Sequence, residues 1–211
     1  MATLESLLSR RTTTRPRFRW DVTRGQAESL LLAACRAEVE SRRMEFVIDA
    51  GLKENISRLA AFMAGGESRR SGVMLCGVCG NGKSTVLGAF GAVTSMLAAY
   101  GYCAQGAKIK TVEAVELADL ARDADTFRAL RSSPMLAIED LGREAAEVAD
   151  YGNVSNPVGA LLEYRYKWQL FTFVTTNLTA GEIRGKYGDR LADRFNEMLE
   201  VIVFRNGSYR R

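Results

Sequence analysis

Gly77-Val78-Cys79-Gly80-Asn81-Gly82-Lys83-Ser84 matches the pattern G-x-x-x-x-G-K-[ST] at every defined position. The apolar run Val73-Met74-Leu75-Cys76 precedes it as a buried strand would, and a helical pattern follows from Lys83 to about Ala99. In such a loop the glycines let successive backbone N–H groups curl around phosphate oxygens, and the next helix adds the field of its N-terminus. Lys83 reaches the β and γ oxygens of a nucleoside triphosphate, and Ser84 offers its hydroxyl to Mg²⁺. The stretch from Gly77 to Thr85 (Gly77, Val78, Cys79, Gly80, Asn81, Gly82, Lys83, Ser84 and Thr85) is therefore the expected seat of ATP, with Mg²⁺ beside it.

A second apolar strand, Met135-Leu136-Ala137-Ile138, delivers Glu139-Asp140 to its C-terminal edge. This is the pattern of a Walker B element. The first acid, Glu139, holds Mg²⁺ together with Ser84, and the second, Asp140, orients and polarises the attacking water. A third strand, Phe171-Thr172-Phe173-Val174-Thr175, runs into Thr176-Asn177. In a sheet ordered 5-1-4-3-2 it lies between the other two strands, so Asn177 faces the γ-phosphate; alone, such an asparagine reads as a turn residue. Arg190 and Arg194 stand four apart in Gly188-Asp189-Arg190-Leu191-Ala192-Asp193-Arg194-Phe195 and share a helix face. Spacing leaves two readings open: arginines for a neighbouring subunit's nucleotide, or a surface face salt-bridged to Asp189 and Asp193.

Composition narrows the alternatives. The chain has 211 residues, 47% hydrophobic and 26% charged, enough for one α/β domain with a short extension. Histidine is absent, which removes Ser-His-Asp and Cys-His catalysis and every histidine-ligated metal site. Of Cys35, Cys76, Cys79 and Cys103, the pair Cys76-x-x-Cys79 is absorbed by the phosphate loop and its strand, and no second half-site completes a metal tetrad. Reduced cysteines and the lack of a long apolar run lead to the expectation of a cytoplasmic protein away from membranes. The net charge is +4, and Arg10, Arg11, Arg15, Arg17, Arg19 and Arg24 crowd the N-terminus, as in an arm for nucleic acid or an acidic partner, or a solvated tail.

Along the chain, a basic arm to about residue 24 leads into a helix from Gln26 to about Arg43. Leu52, Ile56, Leu59, Ala60 and Met63 mark a second helix, stopped by Gly65-Gly66. The ATPase core is expected over residues 46–211, after a basic arm and N-terminal helix over residues 1–45. Within it strands near Val73–Cys76, Ala107–Val112, Met135–Ile138, Phe171–Thr175 and Val201–Phe204 alternate with helices near Glu113–Arg122, Val158–Trp168, Ala180–Tyr187 and Asp189–Met198. That alternation predicts a five-stranded parallel sheet covered on both faces, an α/β P-loop NTPase fold without a separate lid domain.

As a set, Gly77 to Thr85, Ile138-Glu139-Asp140-Leu141-Gly142, Leu161-Leu162-Glu163-Tyr164-Arg165-Tyr166, Thr175-Thr176-Asn177-Leu178, Tyr187 to Arg194 and Gly207-Ser208-Tyr209-Arg210 resemble the DnaC/DnaI-type helicase-loader branch of AAA+ ATPases. The resemblance spans about residues 70–211. It implies an AAA+ core that assembles as a homo-oligomer in the ATP state and contacts a hexameric replicative helicase of the DnaB type and single-stranded DNA. It implies Walker A roles for Lys83 and Ser84, Walker B roles for Glu139 and Asp140, a sensor role for Asn177, and an arginine finger at Arg194 with Arg190 as the alternate. Many relatives have aspartate where this chain has Glu139. Two other readings share the core: an IstB-like transposition ATPase, and a non-hydrolysing, ATP-switched DNA-binding scaffold. A small-molecule phosphotransferase has no use for Asn177 and the paired arginines.

Overall fold

The computed structural model describes residues 18, 20–65, 70–103, 108–145, 148–150 and 153–209. Arg10, Arg11, Arg15, Arg17 and Arg19 of the basic arm lie outside the described residues, as does Gly66.

Five strands form one parallel sheet: β1 (Gly72–Gly77), β2 (Lys110–Glu113), β3 (Met135–Leu141), β6 (Phe171–Thr176) and β7 (Leu199–Phe204), in the order β2-β3-β6-β1-β7. Counted within this sheet alone, that is the expected 5-1-4-3-2. A separate antiparallel pair, β4 (Val148–Asp150) and β5 (Asn153–Ser155), was not foreseen.

The period of two along each strand divides the core into two layers. Val73 and Leu75, Met135 and Ala137, Phe171 and Phe173 point to one side; Met74, Leu136, Ile138 and Val174 point to the other. On the first side pack α1 (Arg24–Ser41), α2 (Ala50–Met63) and α3 (Lys83–Ala99). On the second pack α4 (Leu117–Leu120), α6 (Pro157–Trp168) and α7 (Ala180–Met198). Between α4 and α6 the chain also forms α5 (Ala124–Arg131), held by an Asp123 cap and with no buried residue.

Several boundaries move from the sequence expectation. The helix expected at Glu113–Arg122 is a 3₁₀ turn at Ala114–Glu116 followed by the short α4. β3 continues through Glu139 and Asp140 to Leu141 rather than stopping at Ile138. The two helices expected after Leu178 are found as expected: the stretch α7 leaves helical geometry at Gly188 (φ 80°, ψ 163°), a backbone shape that glycine adopts without a Cβ penalty.

The N-terminal helix is built into the molecule. Thr23 caps α1 with a reciprocal Gln26 contact, and Ala27, Leu31 and Cys35 form its buried stripe. These residues share one hydrophobic cluster with Ile56, Leu59, Phe90 and Phe171. Trp20, 4% exposed, meets the rings of Phe90 and Phe171 edge-on at 5.7 and 5.8 Å. The boundary expected near residue 45 falls in the loop between α1 and α2, where Met44 and Val47 are exposed, but the core runs across it. Burial pushes the Cys35 thiol up to about 12, so it is a packed apolar group rather than a nucleophile.

If α1 is part of the core, Leu31→Ala should lower unfolding free energy by about 2–5 kcal/mol, the range for removing a buried leucine side chain. Denaturant unfolding measures this. A loss below about 0.5 kcal/mol would mean that α1 rests on the core without stabilising it.

Candidate nucleotide site

In a parallel sheet the C-terminal strand ends share one edge, and ligands collect in the crevice outside it. β6 lies between β1 and β3, so the loop after β1, the acids of β3 and the end of β6 converge there. The Walker A, Walker B and Asn177 segments, far apart in sequence, become neighbours for this topological reason.

The loop after β1 depends on its glycines. Gly77, Gly80 and Gly82 have φ of 150°, 82° and 94°. A Cβ on Gly77 would lie 2.5 Å from Asn81 Nδ2 and 2.6 Å from the Phe204 carbonyl, so no larger residue fits. Gly82 caps α3 in the left-handed region without a side-chain hydrogen bond, leaving the helix end without a competing cap. Asn81 is fully buried, and its Nδ2 donates to the Phe204 carbonyl at 3.3 Å.

Lys83 is 5% exposed. Its ammonium donates to the Gly77 carbonyl at 2.7 Å, the Val78 carbonyl at 2.8 Å, Asn81 Oδ1 at 3.0 Å and Asn177 Oδ1 at 2.8 Å. Asn177, expected as a γ-phosphate sensor, thus touches the lysine expected to hold that phosphate. Burial pulls the Lys83 pKa below the ordinary lysine value, while first Asp140 and then Cys79 and Cys76 oppose the shift. Cys76 in turn is pushed up to about 11 by burial, with the Lys83 charge opposing, so it stands as a neutral thiol beside the loop.

Glu139 and Asp140 sit on a bulge. Ile138 pairs with Val174 and Leu141 with Thr176, so two residues of β3 face Thr175 alone. Asp140 takes φ 53°, a left-handed shape that aspartate tolerates better than most residues. Two threonines of β6 hold this bend. Thr175 Oγ1 accepts from the Asp140 N–H at 2.9 Å, and Thr176 Oγ1 donates to the Leu141 carbonyl at 2.6 Å. The Asp140 carboxylate meets Arg143 at 3.0 Å. The oxygen donors of Ser84 and Glu139 suit a hard cation such as Mg²⁺.

The turn after β3 has its own anchor, unnoticed in the sequence. Glu144, 6% exposed, accepts from the Gly142 N–H at 2.8 Å and from the Tyr187 hydroxyl, and lies 3.4 Å from Lys186. Burial, then the bond to Glu144, raises the Tyr187 pKa. Gly142 (φ 106°) leaves no room for a Cβ beside Leu178, the residue after Asn177. The Walker B turn and the Asn177 loop therefore pack as one unit.

Arg190 and Arg194 share a helix face, as their spacing requires, and both reach Glu163 of α6, at 3.5 and 2.7 Å. Arg194 is 23% exposed and also covers the Tyr166 ring at 4.9 Å, whereas Arg190 is 74% exposed. Asp189 and Asp193 pair with Arg184 instead. Among the described residues no group of three or more acidic, cysteine or histidine side chains forms a protein-only metal site, and no helix is long and apolar enough to cross a membrane.

No protein-family model and no curated protein sequence matches the chain. Solved structures do. A DnaI structure aligns with a TM-score of 0.60 at 22% identity, covering 88% of this chain and 100% of its own. The DnaC helicase loader aligns at 0.58 and 18%, covering 76% and 94%. DnaA from Aquifex aeolicus, bound to AMPPCP, aligns at 0.55 and 15%, covering 75% of this chain and 48% of DnaA.

Thr175→Val keeps the strand's shape but leaves the Asp140 N–H without its acceptor. It should cost about 1–3 kcal/mol in denaturant unfolding. An unchanged unfolding curve would show that the bulge holds itself without Thr175. The strand order, the glycine-dependent loop and these alignments together establish that the chain has the α/β P-loop fold of those structures.

Proposed function

We propose that this chain is an ATP-dependent loader of a replicative helicase, which assembles on ATP and engages single-stranded DNA. The observation that carries the nucleotide part is the junction of Lys83, Asn177 and the Glu139-Asp140 bulge at one sheet edge. The loader part rests on the motif resemblance and on the alignment with DnaI and DnaC over most of both chains.

The chemistry assigns a task to each residue. The N–H groups from Asn81 to Ser84 receive the phosphates, and Lys83 leaves its carbonyl partners to meet the β and γ oxygens. Mg²⁺, held by Ser84 and Glu139, would neutralise charge on those oxygens. Asp140 orients a water whose oxygen bonds to the γ-phosphorus as the bond to the β–γ bridging oxygen breaks, giving ADP and phosphate. Asn177, released from Lys83, bonds the γ-phosphate. Arg194, or Arg190, leaves Glu163 to serve the nucleotide of an adjacent subunit. Because Arg190 is the more exposed, its move uncovers less buried surface. The ion pair of Asp140 with Arg143 favours a second reading, a switch that binds ATP without hydrolysing it.

Nucleotide assays separate these roles. Lys83→Ala should lose ATP affinity while remaining folded. Asp140→Asn should bind ATP and lose most hydrolysis, since the amide no longer orients water as a charged acceptor. Mixing Arg194→Ala with Lys83→Ala subunits should restore turnover that neither has alone, because one binds nucleotide and the other supplies the arginine. Complementation by Arg190→Ala instead moves the role to Arg190, and failure by both leaves the arginines as partners of Glu163. ATP binding without turnover in the wild type, with DNA and partner present, would favour the switch.

The partner is tested by capture. With ATP, the wild-type chain should co-purify with a hexameric replicative helicase, and Lys83→Ala should not. Exclusive capture of a transposase would replace the loader reading with a transposition ATPase.

A further inference from the structure

The segment after β7 lies across the outside of the P-loop. The Tyr209 N–H donates to the Gly80 carbonyl at 2.9 Å. Asn206 Nδ2 donates to the Asn81 carbonyl at 2.9 Å. The Tyr209 ring covers Gly82, where an added Cβ would stand 3.3 Å from it. The Tyr209 hydroxyl donates to Asp49 Oδ2 at 2.8 Å, while Asp49 Oδ1 caps α2 through the Leu52 N–H at 2.7 Å. A Cβ on Gly51, in the first turn of α2, would lie 3.2 Å from the Asn206 Cβ. Three distant pieces of chain, the start of α2, the P-loop and the C-terminal segment, are thus tied at one point.

The planarity of the peptide bond turns these contacts into an orientation. In a trans peptide the C=O of one residue and the N–H of the next point in opposite directions. Holding the Gly80 carbonyl toward Tyr209 turns the Asn81 N–H away from the C-terminal segment. Holding the Asn81 carbonyl toward Asn206 does the same for the Gly82 N–H. On the nucleotide reading, those N–H groups face the phosphates. Glycines at Gly80 and Gly82 give these peptides little stiffness of their own. Lys83 and the Asn81 side chain hold the loop from inside, and without outside partners the two peptides keep more freedom, whose ordering would be charged to ligand binding.

We propose that Tyr209 and Asn206 are positioning residues for nucleotide binding. They clasp the P-loop from outside, with Asp49 as the anchor, and so preset the Asn81 and Gly82 N–H groups for phosphate. The inference rests on the nucleotide-site reading and adds to it a dependence on the C-terminal segment. It also makes the start of α2 sensitive to the state of the loop, because Asp49 serves both.

The test is a titration with a fluorescent ATP analogue and Mg²⁺, alongside thermal unfolding without nucleotide. Tyr209→Ala and Asn206→Ala should each raise Kd about ten-fold, as expected for one lost charge-assisted contact or its equivalent ordering cost. Tyr209→Phe keeps the ring on Gly82 and loses the hydroxyl's bonds to Asp49 and Asn206, so it should raise Kd about three-fold. Asp49→Asn keeps an N-cap residue for α2 and should match Tyr209→Phe, with no further loss in the double variant. Nucleotide dissociation should quicken in the same order. A lower unfolding midpoint with Kd within about two-fold of wild type would overturn the proposal, leaving the clasp purely structural. If Tyr209→Ala fails to fold, the Tyr209→Phe and Asp49→Asn pair decides by the same criterion. A wild-type chain that binds no nucleotide would overturn the site reading and this inference with it.

Discussion

A buried ammonium must find acceptors, and around Lys83 that need organises the sheet edge. Its partners are two carbonyls of its own loop, the side chain of Asn81 and the side chain of Asn177. The first three close the loop on itself. The fourth joins it to the neighbouring strand, β6. Removing these acceptors would leave a desolvated charge, at a cost that outweighs most single contacts. The same arrangement is also poised to change. On the proposed nucleotide reading, phosphate oxygens are better partners for the ammonium than carbonyls, and binding would draw Lys83 away and free Asn177 in one step.

Around that centre the structure satisfies its strained parts from elements that do no chemistry themselves. Thr175 and Thr176 hold the bulge that presents Glu139 and Asp140. Glu144, with Tyr187 and Lys186, fixes the following turn. At the opposite edge of the sheet, Arg165 is fully buried and spends its donors on Thr172 and on the carbonyls of Arg131, Ser133 and Phe171.

What the sequence revealed follows from where each signal lives. The P-loop, the Glu139-Asp140 pair and Asn177 each end an apolar strand, a local pattern readable without the fold. The alternation of strands with helices gave the parallel sheet, and the order 5-1-4-3-2 came with the P-loop reading rather than from the alternation. α5 escaped notice because it is short and buries no residue fully, with Phe127 and Leu130 leaning on the core only in part. The two helices that meet at Gly188 were legible, since a lone glycine with non-helical backbone interrupts the pattern there. The anchoring of α1 could not be read, because its narrow stripe of Ala27, Leu31 and Cys35 is diluted by charges. The contact of Asp49 with Tyr209 joins residues 160 positions apart, where no local pattern exists. Glu163 as the common partner of Arg190 and Arg194, in place of Asp189 and Asp193, is likewise a product of helix packing.

The claim at the centre of this account is that the loop from Gly80 to Ser84 receives phosphate and that Lys83 then exchanges Asn177 for it. Amide and side-chain NMR of the labelled protein, titrated with Mg²⁺ and a non-hydrolysable ATP analogue, observes both events. The account predicts that the largest shifts fall on the backbone amides of Asn81, Gly82, Lys83 and Ser84, and that the Asn177 side-chain amide moves with them. Saturable binding that leaves those amides unshifted, or that shifts them while Asn177 stays still, would contradict it.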